Sequence, residues 1–213
     1  MLYVRRIVTG PLEENCWIVG DTDKKECAII DPGYDGDYIV LETASLGFSV
    51  KYILLTHAHV DHILALRFVK DRTNAPVYLH KRESFLLKTA PVQAPLFGMK
   101  PSIPPSPDYF VDEDTQLEIG SYKIKCILVP GHSPGGTAYI FSDDSNPPMH
   151  LFTGDILFAG SVGRTDLPGG NWELLISGIK NKILTLPDDT IVYPGHGPTT
   201  TIGREKKTNP FLA

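Results

Sequence analysis

Cysteine is scarce in this chain: 213 residues carry three, Cys16, Cys27 and Cys126, an odd set with no Cys-x-x-Cys spacing. A disulfide framework is thereby excluded, and buried reduced thiols fit a reducing compartment, so the expected location is cytoplasmic. Uninterrupted apolar runs of about 18 residues are missing too, which argues against a membrane-spanning helix and leaves no membrane partner expected. The opening Met1-Leu2-Tyr3-Val4-Arg5-Arg6 lacks the apolar stretch of a secretory leader, so no targeting is expected. Nor is there an excess of basic residues. Twenty Lys+Arg against 25 Asp+Glu give a net charge of −5 without a basic run, so nucleic acid is not an expected partner. No serine or cysteine stands in a recognisable nucleophile setting, and nothing in the sequence fixes an oligomeric state.

The composition, 42% hydrophobic and 21% charged, is that of a globular chain long enough to fold without a structural metal. Any metal site is therefore free to be functional. Short β-type runs come first, over 2–9, 16–19 and 27–30, parted by Gly10-Pro11, Gly20-Asp21 and Asp31-Pro32-Gly33; they read as an antiparallel meander. The pattern then changes to βαβ: a helix over 36–47, a buried strand over 51–55, a helix over 62–73, a strand over 77–79 and a helix over 81–88. In the second helix Arg67, Lys70 and Asp71 share the polar side. Prolines at 91, 95, 101, 104, 105 and 107 make 91–107 an ordered surface loop or, alternatively, a linker. Strands at 117–119, 122–129, 137–141 and 150–153, a helix over 172–185 and a strand at 190–193 follow. The two halves, 1–90 and 108–213, share a strand-to-helix-to-strand style, and the expected fold is one layered α/β domain over 1–213 built from two similar halves.

The chemistry is concentrated in Thr56-His57-Ala58-His59-Val60-Asp61-His62, where an apolar strand gives way to a helix. His57 and His59 can converge on one ion while Asp61 and His62 turn toward a neighbouring one; imidazole and carboxylate are ligands that zinc accepts. Three further segments end strands beside glycine or proline: Pro130-Gly131-His132-Ser133-Pro134-Gly135-Gly136, Phe152-Thr153-Gly154-Asp155 and Tyr193-Pro194-Gly195-His196-Gly197-Pro198. Each is weak alone, but together they supply His132, Asp155 and His196, and seven potential ligands are too many for one tetrahedral ion. Two adjacent metals sharing a carboxylate would use them all. His80 and His150 lack such a context and are read as packed or surface histidines, Tyr139 as core, and Cys16 as a small apolar core residue.

These four motifs, in this order and spacing, resemble the metallo-β-lactamase superfamily, and within it the glyoxalase II (hydroxyacylglutathione hydrolase) branch. The likeness extends to Gly10-Pro11-Leu12-Glu13-Glu14-Asn15, to Ile30-Asp31-Pro32-Gly33, to the stretch from Gly160 to Gly170 and to Asn209-Pro210-Phe211-Leu212. It implies a four-layer αβ/βα sandwich with His57, His59 and His132 on a first metal, Asp61, His62 and His196 on a second, and Asp155 bridging. Full-length glyoxalase II continues into a helical domain after the segment matching His196, whereas here 17 residues follow it. Arg204, Lys206 and Lys207 in that tail are read as a solvated basic patch. Arg164 stands where the longer enzymes place a substrate-contacting lysine, and its fork is suited to gripping a carboxylate.

The implied reaction is thioester hydrolysis, with S-D-lactoylglutathione as the model small-molecule substrate. A water bridging two divalent ions, zinc before iron or manganese, has its pKa lowered to about 7, with Asp61 orienting the nucleophile and Asp155 completing the catalytic pair. A thiolate leaves without much protonation. Two other activities of similar proteins compete: a persulfide dioxygenase using one iron, which Gly163-Arg164-Thr165-Asp166 also resembles, and a lactonase or phosphodiesterase. β-Lactam hydrolysis is not expected, because two-zinc β-lactamases typically lack the paired Asp61-His62 pattern or carry cysteine in place of Asp155.

Overall fold

The computed structural model describes residues 1–143, 145 and 147–212. The first three strands, β1 (Leu2–Thr9), β2 (Glu14–Asp21) and β3 (Glu26–Ile30), form the antiparallel meander. Parallel β4 (Ser49–Leu54), β5 (Val77–His80) and β6 (Tyr109–Val111) then extend it in the order β1-β2-β3-β4-β5-β6. The second sheet runs β14-β13-β10-β9-β8-β7, from β7 (Gln116–Ile119), β8 (Tyr122–Leu128), β9 (Thr137–Ser142), β10 (His150–Gly154), β13 (Ile191–Pro194) and β14 (Thr200–Thr201). A two-stranded ribbon, β11 (Leu157–Phe158) with β12 (Ser161–Val162), lies beyond β10.

Strand alternation sorts side chains into three cores. Cys16, Ile18, Cys27 and Ile29 face α1 (Gly36–Ser45), α2 (Leu66–Thr73) and α3 (Ser84–Gln93). Trp17, Val19, Ala28 and Ile30 face the other way, meeting Tyr139, Phe141, Phe152 and Tyr193 of the second sheet. Val129, Ala138, Leu151 and Val192 pack outward against α4 (Trp172–Gly178) and α5 (Ile202–Thr208). The layers are therefore α, β, β, α, and β2, buried along its whole length, is apolar on both faces over Cys16 to Val19.

Several boundaries differ from the sequence expectation. The helix expected over 62–73 begins at Leu66, because Val60–His62 forms a separate 3₁₀ turn and the Ala65 N–H donates to the Pro32 and Gly33 carbonyls instead of to a preceding turn. The proline-rich segment is not a loop from its start. Helix α3 runs through Pro91 to Gln93 and a 3₁₀ turn covers Ala94–Phe97, since a proline near a helix end costs a single hydrogen bond. The helix expected over 172–185 is α-helical to Gly178 and then widens into a π-type stretch, Ile179–Ile183. Lys70 reaches Asp108 rather than its own helix, leaving Arg67 and Asp71 as the pair, 3.9 Å apart. The tail after His196 is structured: β14 and α5 bury Ile202 and Leu212, and Lys206 pairs with Asp188 at 2.6 Å. Among the described residues no helix is long and apolar enough to cross a membrane.

Candidate metal centre

The chain leaves β4 at Leu54, and both the N–H and the hydroxyl of Thr56 donate to Asp31, at 2.7 and 2.5 Å. Because the hydroxyl hydrogen goes to Asp31, Thr56 Oγ1 accepts from His57 Nδ1 at 3.0 Å, and His57 Nε2 is left with its lone pair. The same logic applies to His132, whose Nδ1 donates to the Arg164 carbonyl at 2.8 Å, and to His62, whose Nδ1 donates to Asp31 at 3.1 Å. Three imidazoles are thus held in the tautomer that presents Nε2.

Those atoms converge. His132 Nε2 lies 3.3 Å from His57 Nε2 and 2.8 Å from His59 Nδ1. His196 Nε2 lies 3.2 Å from Asp61 Oδ2, and His62 Nε2 lies 3.7 Å from the same oxygen. Asp155 stands between the groups, Oδ1 3.4 Å from His62 Nε2 and Oδ2 3.6 Å from His132 Nε2 and 3.7 Å from His196 Nε2. Ligand atoms on a tetrahedral ion with arms of about 2.0–2.1 Å sit roughly 3.3 Å apart, so both groups have the dimensions of a ligand shell. Two facing lone pairs on His57 and His132 repel unless a cation lies between them. His62 Nε2 and Asp155 Oδ1 are buried without a hydrogen-bond partner, a cost that a metal ion would remove. The residues therefore fit divalent metal. A further triplet, Asp31 with His57 and His62, also brings its ligand atoms within 4.8 Å of one another, but Asp31 already accepts two hydrogen bonds from Thr56 and one from His62. It positions the ligands.

Electrostatics suit the same reading. Burial pushes His57 well below the ordinary histidine range, and burial with the neighbouring His132 pushes His59 down to about 4; both are neutral ligands at pH 7. For His62 burial opposes protonation, yet Asp155 and Asp61 outweigh it and hold its pKa well up; without a cation, a proton on Nε2 takes the place between the carboxylates that a metal would fill, and metal binding would release it. Burial likewise works against charge on Asp155, but His62, His132 and His196 hold it ionised, well below the usual carboxylate range.

Two carboxylates that the sequence did not mark complete the frame. Glu83, fully buried, accepts the Ala58 N–H at 2.9 Å and the Gly135 N–H at 2.5 Å, tying the loop of His57 and His59 to the loop of His132. Glu14, also buried, accepts from Thr9 at 2.7 Å behind His62, and burial raises its pKa well above the carboxylate range. The one sequence signal for either was that Glu14 lies in the Gly10-to-Asn15 stretch that carries the family resemblance. Arg164, expected to contact substrate, has its exposed fork on Asp166, at 2.7 and 2.6 Å, and its carbonyl orients His132. His80 accepts from the Arg82 N–H, His150 meets the Tyr193 hydroxyl, Tyr139 donates to the Leu55 carbonyl, and Cys16 is buried in the helix-side core.

His196 is carried by β13 and by the start of β2, where the Asn15 N–H donates to the Gly195 carbonyl at 2.7 Å. A side chain at Gly195 would strike the Asp155 carboxylate and His62 Cε1, the latter at 2.8 Å. Gly195→Ala should therefore lower metal content per chain and cost about 1–3 kcal/mol of stability. Metal analysis beside a thermal melt checks this, and full occupancy with an unchanged melt would contradict it.

The profile of the metallo-β-lactamase superfamily matches residues 9–196. Among curated relatives, a probable metallo-hydrolase, YqgX of Bacillus subtilis, is 40% identical over 98% of this chain and 96% of its own. The hydroxyacylglutathione hydrolase GloC of Haemophilus influenzae is 38% identical over 94% of this chain and 93% of its own. Among solved structures, BLEG-1, described as a B3 metallo-β-lactamase, superposes with a TM-score of 0.90 at 40% identity, covering 99% of this chain and all of that one. TTHA1623 in a di-iron-bound form gives 0.86 at 38% identity, covering 98% and 100%. With a profile match over most of its length and relatives at this identity, the chain belongs to the metallo-β-lactamase superfamily.

Proposed function

We propose that this protein is a dinuclear metal-dependent hydrolase of thioesters, releasing a carboxylic acid and a free thiol. The observation that carries the reading is the pair of ligand groups joined by Asp155; the similarity to GloC supports the substrate class. His57, His59 and His132 would hold one ion, Asp61, His62 and His196 the other. Divalent metals there supply a water of lowered pKa and an electrophile for the carbonyl oxygen. His196, the most exposed of the seven at 28%, marks the side on which substrate would enter, and Asp61, 3.2 Å from it, would hold a proton from the attacking water. No side chain has to protonate the leaving group, since a thiol is acidic enough to depart as the thiolate.

The likeness to BLEG-1 favours one rival, β-lactam hydrolysis, because that structure is as similar as any relative named above. A β-lactam nitrogen, unlike a thiolate, needs a proton as it leaves. The test is thiol release from S-D-lactoylglutathione, with zinc, iron and manganese per chain measured on the same sample and a chromogenic cephalosporin run in parallel. Rapid thiol release with close to two zinc ions per chain is expected. A fully metallated protein that releases no thiol overturns the reading; cephalosporin cleavage would then point to a lactamase, and one iron per chain with oxygen uptake to an oxygenase.

A further inference from the structure

Beside His196 lies a cleft of about 450 Å³ lined by Arg6, Val8, Leu12, Glu13, Asn15, His196, Gly197 and Pro198. Arg6 reaches it through strand register. On β1, Arg6 pairs with Trp17 and Val4 with Val19, and both partners belong to the core between the sheets. Arg6 and Val8 therefore continue the face that begins with Leu2 and Val4, and alternation alone would place an apolar residue there. Its neighbour Arg5 points to the other face and is paired with Glu42 at 2.8 Å. Arg6 has no such acid. Nη1 donates to the Gly197 carbonyl at 3.1 Å, one residue from His196, and Asn15 Nδ2 donates to the same carbonyl at 2.9 Å. Among the described residues neither Arg6 nor Glu13 has an ion-pair partner, and the two are not paired with each other although both line the cleft.

A cation and an anion kept apart in one cleft next to a reacting centre match a ligand that carries both charges. Resting on the thioester reading, we infer that this cleft recognises the leaving thiol by an α-amino-carboxylate: Arg6 receives the carboxylate through its free N–H groups and Glu13 receives the ammonium. Val8, Leu12 and Pro198 supply the apolar wall for the aliphatic part of that thiol.

The test compares two acetyl thioesters that differ in the thiol, zwitterionic S-acetylglutathione and neutral S-acetyl-N-acetylcysteamine, on the metal-loaded protein. Wild type should prefer the first. Arg6→Ala should cut the ratio of kcat/KM values about tenfold, as expected for loss of a charge-assisted contact, with the change in KM, and Glu13→Gln should cut it by a smaller factor. Calorimetric binding of S-methylglutathione, which is not cleaved, should weaken by a similar factor in Arg6→Ala. If both thioesters are hydrolysed and Arg6→Ala leaves the ratio and the binding unchanged, the inference is overturned while the hydrolase stands. If neither thioester is hydrolysed the hydrolase reading falls, and S-methylglutathione binding by wild type but not by Arg6→Ala would still uphold the cleft.

Discussion

Asp155→Ala should strip the centre of metal and abolish thiol release while the protein stays folded. Asp155 is the carboxylate within reach of both ligand groups, 3.4 Å from His62 and 3.6 Å from His132. Without it the two groups share no anion, and two dications would face a single remaining carboxylate, Asp61, across a few ångströms in a buried setting. Metal content is expected to fall from two per chain to one or none, and the rate by a factor on the order of a thousand or more. The fold should survive, because the three apolar cores lie outside this cluster. Metal analysis, circular dichroism and thiol release on one preparation check all three statements. An Asp155→Ala protein that keeps two metals and full activity would falsify the shared-ligand assignment.

Glu83→Ala should act on the fold and the centre at once. Its carboxylate satisfies two backbone N–H groups on loops that are otherwise far apart in sequence, Ala58 and Gly135. Removing it orphans both in a fully buried site, at about 1–3 kcal/mol each. A loss of about 4 kcal/mol corresponds to a Tm lowered by roughly 10 °C for a chain of this length. His57 and His59 ride on one of these loops and His132 on the other, so metal affinity should fall by about 10–100-fold. Glu83→Gln should recover about half of the loss, because its amide oxygen can accept one of the two N–H groups while its NH₂ faces the other. Thermal melts of the metal-free and metal-loaded proteins separate the two effects; a variant melting within about 2 °C of wild type would show that Glu83 is not the clamp.

Glu83 also shows where sequence reading stops. It sits among Lys81, Arg82 and Glu83, a charged run of the kind usually found in solvent, and its partner Gly135 is 52 residues away. The same holds for β6, β12 and β14, which are two or three residues long and have no periodicity of their own; pairing with a neighbouring strand makes them strands. Helix α3 passes through Pro91 because Leu86, Leu87 and Ala90 are buried against the sheet, an anchor that proline content does not reveal.

What local sequence does determine here is the meander, the buried strands and the position of each ligand-bearing segment in the loop that follows a strand. Apolar runs bounded by Gly, Pro and Asp leave the chain little choice of where to turn, and a His or Asp just past such a run is aimed off the sheet edge. Tertiary structure alone decides the rest. Asp31, Thr56 and the Arg164 carbonyl select which imidazole nitrogen is presented, and the contact between Arg6 and Gly197 spans 191 residues. The two arginines meet different surroundings for the same reason: Arg164 has Asp166 two residues away, whereas register places Arg6 on the inter-sheet face beside the Gly197 carbonyl.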